Sequence, residues 1–177
     1  VAITDAGFSG YTSLTTFDSV RNNNQILATW DYVLQRENVN AASVHGMQCF
    51  STMAANLPGK FIGSAPEASF YLYRTEDAST EYPVEEQNWV AAAERADSAG
   101  ADLISISLGY NSFDNSSFNH SYADLDGHTT IIAKGVNVAV EKGIMVVASA
   151  GNDGNNQWHY IATPADADSV IAVGAVN

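Results

Sequence analysis

The sequence has 177 residues, of which 46% are hydrophobic and 15% charged, so there is material for a buried core and intrinsic disorder is excluded. Seven Lys and Arg against twenty Asp and Glu give a net charge of −13. A surface that acidic repels phosphate backbones and anionic lipid, so neither nucleic acid nor a membrane is an expected partner.

The length is that of one domain, or at most one and a half. The single cysteine, Cys49, allows neither an internal disulfide nor a cysteine-rich zinc module. No apolar run approaches the roughly 18 to 20 residues of a membrane span. Val1–Thr4 reads as a core strand rather than a leader, so the leader of an exported protein would be removed or lie outside these residues. Asn22 to Val44 is an excursion carrying the Asn22-Asn23-Asn24 cluster and an expected strand over Thr29–Leu34. A helix is expected from His45 to about Asn56, then a strand over Ser69–Tyr73. Pro83 suits a first helical turn, with Glu85 and Glu86 at the positive end of the dipole. Trp89, Ala92, Ala93 and Ala96 mark the inward face of that helix, and Gly100 fits its C-terminal cap. Leu103–Ser107 follows as a strand, and Tyr110 to His128, rich in Asn, Ser and Asp, as a long surface loop. Thr129 to Lys142 reads as a helix with Ile131, Ile132, Val136 and Ala139 inward and Gly143 closing it. Ile144–Ser149 and Val170–Val173 are further strands. Apolar runs without alternation predict strands buried on both faces, and their alternation with helices predicts an α/β fold with a mostly parallel sheet flanked by helices.

In open α/β sheets ligands bind beyond the carboxyl ends of the strands. Those ends are Asp5-Ala6-Gly7, Ser107-Leu108-Gly109 and Ala150-Gly151-Asn152, and His45-Gly46 opens a helix after the first. An Asp, a His and an amide at one rim suit acyl transfer, with the His as base, the Asp as its orienter and the amide as oxyanion donor.

These segments carry a resemblance. Val1-Ala2-Ile3-Thr4-Asp5-Ala6-Gly7-Phe8 resembles the aspartate motif of the subtilisin-like serine proteases. The run from His45-Gly46-Met47-Gln48-Cys49 to Ala55 is similar to their histidine helix, and Ile106-Ser107-Leu108-Gly109 to their substrate-binding strand. Val146 to Gly154 resembles their oxyanion segment, and Thr163-Pro164-Ala165 followed by Val170 to Val176 the strand after it. Five motifs in the family's order span the chain. The resemblance implies a subtilisin-like three-layer α/β sandwich and a serine endopeptidase. It implies that Asp5 orients the imidazole, that His45 is general base and then acid, and that the Asn152 amide donates to the oxyanion. Ser107, Leu108 and Gly109 would pair with an extended polypeptide substrate, with Ala150 and Gly151 in the facing pocket wall.

The departures are informative. Gln48 stands where the family usually has a second histidine and Ser51 where it has glycine, which reads as a subfamily change because Gln48 can still donate and accept. The family's order is Asp, His, Ser, and no Gly-Thr-Ser occurs in residues 1–177. The expectation is therefore an incomplete catalytic domain, inactive alone, whose partner is a C-terminal segment carrying the serine. The alternative is a non-catalytic relative that keeps the peptide groove. Localisation is expected to be extracellular or in the cell envelope.

Local readings compete with some of these. Cys49, four residues after His45, raises a Cys–His pair, but a cysteine in an apolar helix reads better as inert packing. His120, Asp124 and His128 have helical metal-ligand spacing in what reads as a solvated loop. Asp114, Asp124 and Asp126 lack regular calcium-ligand spacing. Asp124-Leu125-Asp126-Gly127 resembles a phosphatase motif but lacks the apolar strand that motif needs. No metal ligand is assigned and no cofactor is required; a structural calcium stays open, though the sequence offers nothing to support one.

Overall fold

Ala2–Asp5 (β1) is buried at every position in the computed structural model, which describes residues 1–176. The chain divides into two compact units, Val1–Ala78 and Ser79–Asn177. In the first, β1 is followed by a short helix Asp18–Asn22 (α1), strand Ile26–Asp31 (β2), helix His45–Ala54 (α2), a small antiparallel pair Asn56–Leu57 (β3) and Phe61–Ile62 (β4), and strand Phe70–Arg74 (β5). The three long strands are parallel in the order β2-β5-β1. Their register sets Asp31 beside Arg74 and Arg74 beside Asp5, so three charged residues share the carboxyl end. Beneath them lies an apolar core of Ile3, Phe8, Phe17, Val20, Phe50, Phe70 and Leu72, all fully buried. Phe50 stacks on Phe17 at 4.8 Å and meets Phe70 edge-on at 5.0 Å.

β2 lies three residues earlier than the sequence predicts. The Asp31 carboxylate accepts the N–H groups of Val33 and Leu34, both at 3.0 Å, and this turn folds the chain back to an Asp31–Arg36 bridge. The Tyr32 N–H still donates to the Arg74 carbonyl at 2.8 Å, but the Asp31 side chain takes the next two amides and ends the strand there. α1 and the β3–β4 pair escaped the sequence reading because elements of two to five residues are too short for any periodicity.

The second unit contains helix Val84–Ser98 (α3), strand Leu103–Ile106 (β6), helix Ile131–Glu141 (α4) and strands Met145–Ser149 (β7) and Ile171–Val173 (β8). The strands are parallel, in the order β6-β7-β8. Trp89, Ala92, Ala93 and Ala96 are buried as their spacing predicts. α4 is N-capped by Thr130, whose hydroxyl accepts the Ala133 N–H at 3.2 Å and so satisfies an otherwise orphaned donor. A Cβ on Gly135 would lie 2.8 Å from Val90 and 3.1 Å from Trp89, so α3 and α4 approach closely there.

Several expectations are corrected. β6 and β7 alternate between covered and less covered positions, and all three residues of β8 are exposed, so burial on both faces holds for β1 and nearly for β5. Ile131 is exposed, because α4 begins one residue after Thr130 and buries Ile132, Ala133, Val136 and Ala139. Nor is the 110–128 segment only a solvated loop. Tyr110 and Phe113 are buried, and His120 sits edge-on to Phe113 with Nε2 2.8 Å from Glu86 Oε1. Glu86 itself is buried and its other oxygen accepts the Ile132 N–H at 3.0 Å. Asp124 accepts from Ser121 and Asp126 from His128 and Thr129, so these carboxylates serve their own turns. Glutamates 85 and 86, expected only to face the dipole, are both interior.

Candidate active site

Asp5 is the last residue of β1, and α2 begins at His45, which brings the two side chains together across forty residues of sequence. His45 Nδ1 lies 2.8 Å from Asp5 Oδ1 and 3.0 Å from Oδ2. The carboxylate is fully buried while the imidazole side chain is 49% exposed. One end of the pair is therefore withdrawn from water, and the Nε2 end is left to a solvent-facing reaction. Asp5 is also held by its own turn: Oδ1 accepts the Ala6 N–H at 2.7 Å, and the Asp5 carbonyl accepts the Thr75 N–H at 3.0 Å.

Two glycines make this approach possible. A Cβ on Gly46 would lie 2.6 Å from the Gly7 carbonyl oxygen and 2.7 Å from Asp5 Cβ. Gly7 has φ +147°, and a Cβ there would lie 2.4 Å from the Ala41 carbonyl oxygen. The Asp-Ala-Gly and His-Gly pairings are thus steric requirements of backbone passing against backbone.

The Asp5 hydrogen bond raises the His45 pKa above the ordinary 6.5; partial burial opposes this, and the charges of Asp5 and Glu76 reinforce it. A raised histidine pKa means that the pair stabilises the fold fully below the unfolded value near 6.5 and ceases to do so as pH rises through the folded value. As a base His45 must be neutral, so its chemistry switches on over that same interval. An NMR titration of the His45 imidazole is expected to show a midpoint above 6.5. A midpoint at or below 6.5 would contradict the bonded arrangement.

Cys49 Sγ lies 3.9 Å from His45 Nδ1 and 4.0 Å from Nε2. Near-equal distances to two nitrogens of one ring place the sulfur off the in-plane lone-pair direction of Nε2, where an acceptor of its proton would have to sit. The thiol packs beside the ring and is not poised to attack. Asp5, His45 and Cys49 are also the one group of three potential metal donors among the described residues, within 4.8 Å of one another. The 2.8 Å between Nδ1 and Oδ1 is a hydrogen-bond distance, shorter than the ~3.3 Å between two ligands of one tetrahedral zinc. A hydrogen-bonded acid–base pair accounts for the group.

In the second unit, Ser107, Leu108 and Gly109 follow directly after β6 and lie outside the strand. Leu108 is buried and Gly109 exposed, and a Cβ on Gly109 would lie 2.8 Å from Ala162 Cβ. Ala150, just after β7, bonds to the Val173 carbonyl through its N–H and accepts the Ala162 N–H at 3.2 Å. Tyr110 pairs with Thr163, and Asn111 Nδ2 donates to Asp153 Oδ2 at 3.0 Å. The Ser107–Gly109 and Ala150–Asn152 segments therefore share one framework. Gly151 turns the chain at φ +98°, and Asn152 follows it exposed, its side chain capping nothing. The sequence reading did not find Arg74 and Asp31, which underlie the Asp5 turn; nothing in a sequence marks an arginine as buried.

A family model described as "Subtilase family" matches residues 1–177. This chain belongs to the subtilase family. The minor extracellular protease Vpr of Bacillus subtilis (strain 168) is 34% identical over 136 residues, which are 77% of this chain and 15% of that protein. Thermitase of Thermoactinomyces vulgaris is 31% identical over 158 residues, 86% of this chain and 48% of that protein. Among solved structures, fervidolysin from Fervidobacterium pennivorans, a keratinolytic enzyme related to subtilisin, matches with a TM-score of 0.67 at 22% identity. That match covers 97% of this subtilase chain and 23% of the other, and it is a likeness of fold: α/β, subtilisin-like. The chain spans less than half the length of each of these relatives.

Proposed function

We propose that this chain supplies the acid–base and oxyanion parts of a serine endopeptidase. The observation that carries the reading is the buried Asp5 carboxylate 2.8 Å from Nδ1 of a half-exposed His45. Such a pair fixes the tautomer with the proton on Nδ1 and leaves Nε2 free to take a proton from a nucleophile. Membership of the subtilase family supports a serine as that nucleophile. Ser43 Oγ accepts the main-chain N–H of His45 at 3.0 Å, a bond to the backbone and not to the imidazole, and residues 1–177 contain no Gly-Thr-Ser, so the serine would come from a segment outside residues 1–177. His45 would take the hydroxyl proton as the serine oxygen attacks the scissile carbonyl and return it to the leaving amine. Water would then hydrolyse the acyl-enzyme by the same base.

The substrate would be an extended polypeptide adding to the Ser107–Gly109 edge through backbone hydrogen bonds, with Ala150 and Gly151 in the wall of the side-chain pocket. The exposed Asn152 amide would donate to the tetrahedral oxyanion. The extracellular relative Vpr supports an extracellular or cell-envelope location.

The test expresses residues 1–177 alone and together with the downstream coding segment, then assays a fluorogenic peptide and a serine-directed phosphonate label. Hydrolysis and labelling are expected with the segment and abolished by His45→Ala. A full-length product that folds yet neither cleaves nor labels would instead support a peptide-binding relative. In the active form, Asn152→Ala is expected to lower kcat by about 10²- to 10³-fold with little change in KM, because that bond forms only in the transition state. A change confined to KM would remove Asn152 from the oxyanion site.

A further inference from the structure

Arg74 is 4% exposed, at the end of β5, and the strand register sets it between Asp31 and Asp5. Its Nε donates to the Ala6 carbonyl at 3.0 Å and to the Glu76 carbonyl at 3.1 Å, and its Nη1 donates to Asp31 Oδ2 at 3.1 Å. Nη2 pairs more loosely with Asp77 at 3.5 Å. Asp31 is fully buried, with its other oxygen held by the Val33 and Leu34 amides. We propose that Arg74, anchored by Asp31, is a positioning residue for the Asp5–His45 pair, because it fixes the main-chain turn that aims the Asp5 carboxylate.

The physical path is short. Ala6 gives its N–H to Asp5 Oδ1 and its carbonyl to Arg74, so the residue after Asp5 is fastened at both ends. The next carbonyl, that of Gly7, lies against the start of α2 at Gly46. The rigid guanidinium fork reaches two carbonyls through Nε and a carboxylate through Nη1; an ammonium with the same charge has no such fixed fork. The inference rests on the reading that Asp5 and His45 carry the acid–base chemistry. The charged or titratable groups near the imidazole are Asp5 from β1, Glu76 from the stretch after β5 and Cys49 from α2.

The test is Arg74→Lys in residues 1–177, reading the His45 imidazole by NMR, with the signal assigned by its loss in His45→Gln. At unchanged net charge, the His45 midpoint is expected to fall at least halfway back toward 6.5, with the His120 midpoint unmoved. In the complete enzyme kcat is expected to fall about tenfold or more with KM within about twofold. A lower Tm with an unmoved His45 midpoint and unchanged kcat would make Arg74 purely structural and overturn the inference. Should Arg74→Lys not fold, the charge-balanced pair Asp31→Asn/Arg74→Gln serves instead, with the same fall expected and an unmoved midpoint again overturning it. Asp77→Ala, which removes only the loose partner, should leave the midpoint in place, and a fall there as large as that of Arg74→Lys would overturn the assignment to the Ala6 turn. A shifted midpoint in a protein that cleaves no peptide would uphold the positioning and refute the protease.

Discussion

In the complete enzyme, Asp5→Asn is expected to lower kcat by about 10⁴-fold while the protein still folds. The replacement is nearly isosteric, and its carbonyl oxygen can keep the Ala6 N–H bond that Oδ1 now accepts. What changes is the bond to His45. An amide that donates to Nδ1 forces the ring proton onto Nε2, and Nε2 is the atom that must accept from the nucleophile. The charge that would stabilise the imidazolium is lost as well, so the His45 pKa, now raised by Asp5, should drop toward its ordinary value. Turnover per titrated active site and the His45 NMR midpoint measure the two effects independently. A loss smaller than about tenfold would mean that Asp5 is only a strand-end carboxylate.

Phe50→Ala is expected to remove about 3–5 kcal/mol from the stability of the first unit. The ring is fully buried, stacked on Phe17 and edge-on to Phe70, so truncation opens a cavity whose walls are two other fixed rings. Relaxation into that space is resisted by close packing on every side. Phe50 lies five residues after His45, about 140° round the helix, and faces away from the imidazole. The remaining folded protein should therefore keep its His45 titration midpoint. Urea unfolding of residues 1–177 gives the measurement: a lower midpoint concentration at unchanged slope is expected. A loss below about 1 kcal/mol would show that the three rings do not form the core of this unit.

Much of the fold was legible because its long elements carry strong patterns. β1, β5, β6, β7 and β8 were each placed to within about two residues, and the inward faces of α3 and α4 followed from spacing, with Ile131 the exception. What escaped was decided by side chains acting on the backbone. Asp31 ended β2 early by capping Val33 and Leu34, and Glu86 drew a polar loop inward by accepting from His120 and Ile132. A buried ion and a solvated one look alike in a sequence, so Arg74, Asp31, Glu85 and Glu86 were either passed over or assigned to the surface. At the candidate site, Asp5 and His45 were legible as residue types at a strand end and a helix start. Their separation was not, since it depends on the absence of Cβ atoms at Gly7 and Gly46.

That absence has a consequence for how the pair comes apart. No rotatable group fills the space between the Gly7 carbonyl and the first turn of α2, so nothing soft lies there to yield gradually. The aspartate turn and the histidine helix are two rigid surfaces in direct contact, and they separate as whole pieces. Thermal agitation within the native basin therefore leaves the spacing of the two main chains almost untouched, and the motion left to the pair is rotation of the half-exposed His45 side chain about its own bonds.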